Sequence, residues 1–209
     1  MDLNKPNDLT LQAYDKNIDS FLHRTPAAYG APHIALKRWI DTALSYAKPQ
    51  GSVLEIGSAT PRDAMYIRSH GLTVQCSDAA HGFVKHLQSE GEPAIQLNII
   101  EDTAQKTYDV VFANAVFPHF TIQDTEKALG NIRKCLNPGG ILAFNVKQGE
   151  GDEWVNEKMH DQRYIHYWQP YEIYEKVINA GYEIIQLEDG IEGDMPTHIW
   201  TRVIAQKKS

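Results

Sequence analysis

The chain has 209 residues, a net charge of −7 at pH 7 and 42% hydrophobic residues, which is typical of a globular protein near the size of one domain. No apolar run approaches the roughly 20 residues that a membrane-spanning helix requires, so we expect no membrane partner. The acidic balance and the lack of a Lys/Arg cluster disfavour nucleic-acid binding. The polar N-terminus does not resemble a secretory signal and predicts a cytoplasmic protein, whose oligomeric state stays open.

Two helices are predicted at the N-terminus, near residues 9–23 and 32–47. In the second, apolar residues recur at helical spacing and form one stripe that faces the core. We interpret residues 1–48 as a helical cover and residues 49–209 as the main domain, within a single compact unit. The boundary lies at a proline and a glycine that end the second helix.

Short apolar strands alternate with helical segments through the central part of the chain. Strands and helices of this length in alternation predict βαβ units, and therefore a parallel sheet with helices on both faces. In such a sheet the ligand binds at the carboxyl ends of the strands. The predicted strands are 52–56, 72–77, 94–98, 108–116 and 141–146, and the predicted helices are 62–70, 80–89 and 124–136.

The C-terminal part departs from this alternation. A helix that ends at Gly181 is followed by a strand at 182–188 and, after a loop, by the alternating segment "THIWTRVIA". Two successive strands without a helix between them pair most simply in antiparallel fashion. The stretch 148–168 is predicted to be a long irregular loop, of the kind that often closes over a binding site.

The cysteines and histidines do not indicate a metal site. Cys76 and Cys135 each lie in an apolar segment without C-x-x-C spacing, so we expect buried free thiols. The nine histidines show no metal-ligand spacing, and we expect no bound metal.

The segment "VLEIGSATPRDA", residues 53–64, combines a strand, a tight turn and the start of a helix. Gly57 permits a bend that a side chain would hinder, and Ala59 is small enough for a ligand to approach the backbone. The amides at the start of the helix attract a carboxylate or phosphate. Some twenty residues later, Asp78 ends the second strand, where nucleotide-binding folds place the carboxylate that binds ribose.

Two cofactors are compatible with this pattern. A dinucleotide site would read G-x-G-x-x-G, whereas this loop has Gly57, Ala59 and Arg62 at those positions. S-adenosylmethionine carries no pyrophosphate and demands fewer glycines. The spacing therefore favours S-adenosylmethionine over NAD.

Four segments in order resemble those of class I S-adenosylmethionine-dependent methyltransferases: "VLEIGSATPRDA", "VQCSDAA", "YDVVFANAVFPHF" and "LNPGGILAFNV". The resemblance implies an α/β, Rossmann-like fold with a mostly parallel seven-stranded sheet, a C-terminal antiparallel β-hairpin and N-terminal helices. A further likeness to small bacterial methyltransferases lies in "FNVKQGEGDEW" and the aromatic stretch after it. By resemblance, the methionine part is lined by Glu55, Gly57, Ser58 and Ala59, the ribose is held by Asp78 and Ala79, the adenine is flanked by Asn98 and Ile99, and the reacting end is faced by Asn114 and Ala115.

Catalytic and acceptor-binding residues form a second set of predictions. Methyl transfer needs a general base only when the acceptor keeps its proton. His119 in "FPHF" is the first candidate, followed by His33 and Tyr29 and then by His166. The alternative interpretation is that His119 satisfies backbone groups and that the aromatics of "RYIHYW" fill the core. The predicted acceptor-binding residues are Tyr29, His33, Lys147, Arg163 and Tyr167.

The sequence thus predicts an enzyme that transfers a methyl group from S-adenosylmethionine to a small-molecule acceptor. Two alternatives stay open at this point. One is an NAD(P)-dependent reductase, although the Tyr-x-x-x-Lys pair of short-chain reductases is not found after the fourth strand. The other is a non-catalytic S-adenosylmethionine-binding module.

Overall fold

A computed structural model describes residues 5–25, 28–29, 33–156, 159–191 and 199–208. The helices are α1 (Pro6–Lys16), α2 (Ile18–Arg24), α3 (Ile34–Ser45), α4 (Arg62–Arg68), α5 (His81–Ser89), α6 (Ile122–Cys135) and α7 (Pro170–Asn179). The strands are β1 (Ser52–Ile56), β2 (Thr73–Asp78), β3 (Ala94–Gln96), β4 (Tyr108–Ala113), β5 (Leu136–Gln148), β6 (Asp152–Val155), β7 (Arg163–Trp168), β8 (Tyr182–Ile191) and β9 (Ile199–Lys207). A short 3₁₀ turn spans Phe117–His119.

The central sheet has the strand order β3-β2-β1-β4-β5, and these five strands are parallel. On the other side of β5, β9 pairs in antiparallel fashion, and β8 pairs antiparallel with β9. The mostly parallel Rossmann-like sheet and the C-terminal antiparallel hairpin are therefore confirmed. Strands β6 and β7 are an addition to the seven predicted strands.

Successive residues of the strands point to opposite sides of the sheet, and helices cover both sides. The sheet is therefore buried on both faces. Leu54 belongs to the hydrophobic cluster under α6 and α7, whereas Val53 belongs to the cluster under α3, α4 and α5. Trp39 of α3 packs on the second face, with its ring 5.2 Å from that of Phe112. Burial on both faces holds the strand ends in place and leaves the carboxyl edge of the sheet for a site. Both cysteines are buried and free, as predicted.

The first predicted helix is interrupted at Asn17, so the prediction of one helix over 9–23 is wrong. Asn17 has φ −120° and ψ 25°, outside the helical region, and separates α1 from α2. Its side-chain amide donates to the Ala13 carbonyl at 2.8 Å and to Asp161 at 2.8 Å. Asparagine commonly competes with helical hydrogen bonds in this way. The second predicted helix, 32–47, is observed as α3, and residue 32 lies outside the described residues.

The predicted irregular loop at 148–168 is instead largely a β-hairpin. Strands β6 and β7 pair in antiparallel fashion, with Asp152 opposite His166 and Val155 opposite Arg163. Cross-strand side-chain bonds hold the hairpin, because Asp152 accepts from the Tyr164 hydroxyl at 2.6 Å and from His166 Nδ1 at 2.5 Å. Residues 157–158 are outside the described residues.

The hairpin lies where β4 ends. Strand β4 pairs with β5 up to Phe144, and β7 takes over the same side of β5 at Lys147 and Gln148. Lys147 is paired with β7 on one side and with Trp200 of β9 on the other. The hairpin thus forms a wall at the carboxyl edge of the sheet. Among the described helices, none has the length and apolar character of a membrane span.

Candidate active site

A cavity of about 390 Å³ lies at the carboxyl ends of the parallel strands. Its volume falls within the range of about 300–1,000 Å³ that small-molecule sites occupy. The floor comes from the segments that follow β1 to β4, together with Lys147 near the end of β5. Helices α1, α2 and α3 and strand β7 form the cover. Residues of the cover that line the cavity are Asn7, Thr10, Leu11, Tyr14, Phe21, Arg24, His33, Leu36, Arg163 and Ile165.

The turn after β1 has an unusual backbone conformation. Gly57 has φ +67°, and a Cβ added there would lie 2.5 Å from Val116 Cγ2, so a side chain is excluded. Ala59 has φ +49°, a left-handed conformation that costs a residue with a Cβ about 1–2 kcal/mol. Its amide donates to Asp78 Oδ2 at 3.0 Å, and the Ser58 amide donates to the Ser77 carbonyl at 2.9 Å. These bonds hold the turn against β2.

Asp78 is a buried carboxylate that lines the cavity. Its second oxygen, Oδ1, accepts from the Ala80 amide at 2.9 Å. Burial raises the pKa of Asp78 to about 6, while the bonds from the Ala80 and Ala59 amides act in the opposite direction. The group is therefore mainly a carboxylate at neutral pH. The carboxylate retains acceptor capacity beyond its bonds to backbone amides, which suits a ligand with two hydroxyl donors.

Asp63, which the sequence analysis did not select, connects three segments of the chain at one end of the cavity: the start of α4, the segment of Tyr29 and the segment after β4. Its Oδ1 accepts from the Tyr29 hydroxyl at 2.6 Å and from Arg62 Nε at 2.7 Å. Its Oδ2 accepts from the Asn114 amide at 2.9 Å. Glu55 lies behind the turn, where the Ser58 hydroxyl donates to its Oε2 at 2.9 Å. Burial, reinforced by the nearby charge of Asp63, raises the pKa of Glu55.

A chain of amide groups continues from Asp63 into the sheet. Asn114 accepts from the Asn145 side-chain amide at 2.9 Å, and Asn145 Oδ1 accepts from the Ala115 backbone amide at 2.6 Å. Ala115 has φ +58°, so a second non-glycine residue of the cavity is left-handed. Asn145 is fully buried in β5, where only hydrogen bonding compensates its polar side chain. The segment after β4 is thus positioned by β5.

His119 has partners for both ring nitrogens. Nδ1 lies 2.8 Å from the Tyr164 carbonyl oxygen, which can only accept, so Nδ1 carries the proton. In the neutral imidazole Nε2 is then an acceptor, and it lies 2.8 Å from the Tyr14 hydroxyl, which donates. Arg163 Nη1 donates to the same Tyr14 oxygen at 3.2 Å. Burial raises the pKa of Tyr14, against the effect of Arg163, so the phenol stays protonated at neutral pH.

The opposite end of the cavity is bounded by amides and aromatic rings. The Asn98 amide donates to Asn7 Oδ1 at 3.2 Å and joins the floor to α1. Tyr14, Phe21 and Phe83 form a ring cluster with centroid separations of 5.1 to 5.8 Å. Flat apolar walls next to amide groups suit a planar heterocycle with polar edges.

Most of the predicted site residues line this cavity, and three do not. Tyr29 packs under the Arg62 guanidinium at 4.7 Å, and the Tyr167 hydroxyl donates to Glu153 at 2.9 Å on the hairpin. Glu55, which lies behind the turn after β1, is the third. His166, the last of the candidate bases, also does not line the cavity, because it lies on the hairpin and bonds to Asp152. The predicted residues that do line the cavity are His33, Gly57, Ser58, Ala59, Asp78, Ala79, Asn98, Ile99, Asn114, Ala115, His119, Lys147 and Arg163.

Sequence reasoning missed several residues that shape the cavity. Asp63 follows Arg62 in "PRDA", which reads as an ordinary solvated helix start. Tyr14 lies on α1, and its hydrogen-bond partner His119 is more than 100 residues away along the chain. Asn145 lies within an apolar strand. The one available signal was Asn145, because a lone polar side chain in a buried strand requires partners.

Comparison with known proteins agrees with this architecture. Residues 29–187 match the model of a family described as methyltransferase domain. The structure of Burkholderia thailandensis 1,6-didemethyltoxoflavin-N1-methyltransferase, with 1,6-didemethyltoxoflavin and S-adenosylhomocysteine bound, shares 17% identity with a TM-score of 0.75, covering 100% of this chain and 93% of that chain. A DhpI complex with S-adenosylhomocysteine shares 15% identity with a TM-score of 0.74, covering 97% of each chain.

A Methanosarcina mazei protein described as a SAM-dependent methyltransferase shares 14% identity with a TM-score of 0.68, covering 78% of this chain and 95% of that chain. No match was found among curated proteins. At these identities the structural matches establish the fold, and the family match covers well over half of the sequence. The chain belongs to the methyltransferase domain family.

Proposed function

We propose that this protein transfers a methyl group from S-adenosylmethionine to a small-molecule acceptor. The observation that carries the proposal is the cavity itself: one cavity receives the turn after β1, Asp78 from β2 and the segment after β4, in a chain that belongs to the methyltransferase domain family. The net charge of −7 supports a small acceptor over a polyanionic one.

The residues around the cavity fit the proposed cofactor. Asp78 would accept hydrogen bonds from the two ribose hydroxyls, because its carboxylate lines the cavity and retains acceptor capacity. The turn at 57–59 would contact the methionine part, since Gly57 and Ala59 present little side chain there. Asn98 and Ile99 would flank the adenine, next to the ring cluster that contains Phe83.

The cofactor, when bound, supplies an activated methyl group on a cationic sulfur, whose departure needs no proton. The protein then has to orient the acceptor, exclude water and take up any proton that the acceptor loses. Helix α1 and strand β7 close the cavity together, since the Tyr164 amide donates to the Thr10 hydroxyl at 3.0 Å. This contact joins the two parts of the cover.

His119 is the proposed general base for an acceptor that keeps its proton at neutral pH. Its Nε2 accepts from the Tyr14 hydroxyl, so a proton can reach Nε2 by way of that hydroxyl. Tyr14 would receive the acceptor's proton on its oxygen as it passes its own proton to Nε2. The Tyr164 carbonyl at Nδ1 would stabilise the resulting imidazolium.

Calorimetry with the purified protein tests the cofactor assignment. We expect S-adenosylmethionine and S-adenosylhomocysteine to bind and NADH not to bind. Incubation with cell extract and methyl-labelled S-adenosylmethionine should then transfer label to a small molecule. Preferential binding of NADH would support the reductase instead, and cofactor binding without any label transfer would support a non-catalytic binding module.

A further inference from the structure

Arg163 is a buried cation at the wall of the cavity. It is only 6% exposed, although its side chain is among those that line the cavity. Within the described ranges, no carboxylate lies within ion-pair distance of its guanidinium, and its buried Nε has no hydrogen-bond partner. Burial of a charge is costly unless an opposite charge or hydrogen bonds compensate it. Within the described part of the chain, the positive charge of Arg163 is therefore not compensated by a carboxylate.

Among the described residues, the partners of Arg163 are neutral. Nη1 donates to the Tyr14 hydroxyl at 3.2 Å, and the guanidinium carbon lies 5.7 Å from the centre of the Tyr14 ring. Neither contact neutralises the positive charge. Arginine's planar fork matches a carboxylate through two parallel N–H donors, and Nε is one donor of such a pair.

The rest of the cavity adds positive charge. Among the described lining residues, the basic side chains outnumber the carboxylates by four to two. Both carboxylates are already engaged: Asp63 pairs with Arg62, and Asp78 accepts from two backbone amides. This excess of basic side chains favours an anionic group on a ligand of the cavity. The basic residues are Arg24, Arg62, Lys147 and Arg163, and the carboxylates are Asp63 and Asp78.

We propose that Arg163 binds a carboxylate group of the methyl acceptor, so that the acceptor is a small carboxylic acid. This inference rests on the proposed methyltransferase function and specifies its acceptor. The carboxylate of the cofactor is an unsuitable partner because its proposed place is the turn after β1. Arg163 comes from β7, which pairs with β5 beyond the end of β4 and shows no pairing with β1 among the described strands.

Binding of benzoate to the protein saturated with S-adenosylhomocysteine tests this proposal, with benzamide as the uncharged match. We expect benzoate to bind and benzamide to bind at least about tenfold more weakly, because a charge-assisted pair is lost. Arg163→Gln should weaken benzoate binding about tenfold or more, and Arg163→Lys should weaken it less. Arg38→Gln, an exposed change of the same charge on α3, should have no effect.

The outcomes separate this inference from the cofactor assignment. Affinity for S-adenosylhomocysteine is measured first, and its absence would remove the proposed function and this inference together. A more than tenfold loss of that affinity in Arg163→Gln would assign Arg163 to the cofactor and overturn the inference alone. Equal binding of benzoate and benzamide, no benzoate binding, or unchanged benzoate binding in Arg163→Gln would also overturn it alone.

Discussion

The Tyr14 hydroxyl lies 2.8 Å from Nε2 of His119 and connects the first helix of the chain to the turn that follows β4. The other ring nitrogen of His119 is held by the Tyr164 carbonyl on the β6–β7 hairpin. Three distant segments therefore set the orientation and the tautomer of one histidine. Such control over a titratable ring is the arrangement that proton transfer requires.

Replacement of His119 by Gln should reduce methyl transfer by about 10²-fold or more, because a positioned general base typically contributes 10²–10⁴-fold. Tyr14→Phe should also reduce turnover, since the proton path to Nε2 is interrupted. The measurement is the initial rate of label transfer to the acceptor in cell extract. Affinity for S-adenosylhomocysteine should change little in His119→Gln; equal rates in both variants and the wild type would exclude a base in this position.

Asp78→Asn should weaken S-adenosylhomocysteine binding by about one to two orders of magnitude, since charge-assisted hydrogen bonds contribute about 1.5–3 kcal/mol. In Asp78→Asn, an NH₂ group, which donates, also replaces one carboxylate oxygen, which accepts from a backbone amide. Some loss of stability is therefore expected. The matched control is Asp109→Asn at the start of β4, where Asp109 accepts from the Ser52 amide at 3.0 Å. That variant should lose stability and keep its affinity per folded molecule; the same loss of affinity in both would argue against a role for Asp78 in binding.

The pKa of Asp78, raised to about 6, predicts a pH dependence. In the free protein the folded state binds this proton more readily than the unfolded chain, so the contribution of Asp78 to stability falls as pH rises from about 4 to 6. Hydroxyl donors from the cofactor favour the carboxylate form of Asp78. Cofactor binding should therefore weaken below pH 6, and binding at such pH should release a proton from Asp78. Calorimetry at pH 7.5, 6.0 and 5.0 in two buffers measures both effects, and Asp78→Asn should show neither.

Ala59 has a left-handed backbone conformation and lines the cavity, so replacement by a smaller residue and by a larger residue should have different effects. Ala59→Gly relieves the positive φ, worth about 1–2 kcal/mol, and should keep cofactor binding. Ala59→Val adds a branched side chain that is strained at this φ and has little freedom to turn away from the ligand. Melting temperature and S-adenosylhomocysteine affinity, measured together, test this; unchanged affinity in a folded Ala59→Val protein would show that the cofactor lies elsewhere.

Asp63→Ala should lower the free energy of unfolding by about 3 kcal/mol, because it removes one partner of a largely buried ion pair with Arg62. The change also frees the hydroxyl of Tyr29 and the amide of Asn114 from their shared acceptor. Asp41→Ala is the matched control, since Asp41 accepts from the Tyr66 hydroxyl at an exposed site. Urea unfolding measures the free energy of unfolding of both variants. Equal losses of this free energy in Asp63→Ala and Asp41→Ala would mean that Asp63 has no special structural role.

Much of the fold could be predicted from the sequence. The strands of the parallel sheet are near-continuous apolar runs separated by helices with one apolar face, and both patterns are local. The turn after β1 and Asp78 could be selected for the same reason, because they occupy set places relative to β1 and β2. The β6–β7 hairpin was missed because its cross-strand bonds, such as Tyr164 to Asp152, join residues whose pairing no local pattern specifies.

The sequence by itself determined the order of the strands and helices of the central parallel sheet, the family resemblance and the segments that meet at the carboxyl edge of that sheet. Only the tertiary structure decided which side chains face the cavity. Tyr14, Asp63 and Arg163 acquire their surroundings from segments 34 to 149 residues away. The physical reason is that hydrogen bonding and burial act through short distances in space. A residue's chemistry is therefore set by neighbours that chain packing brings to it.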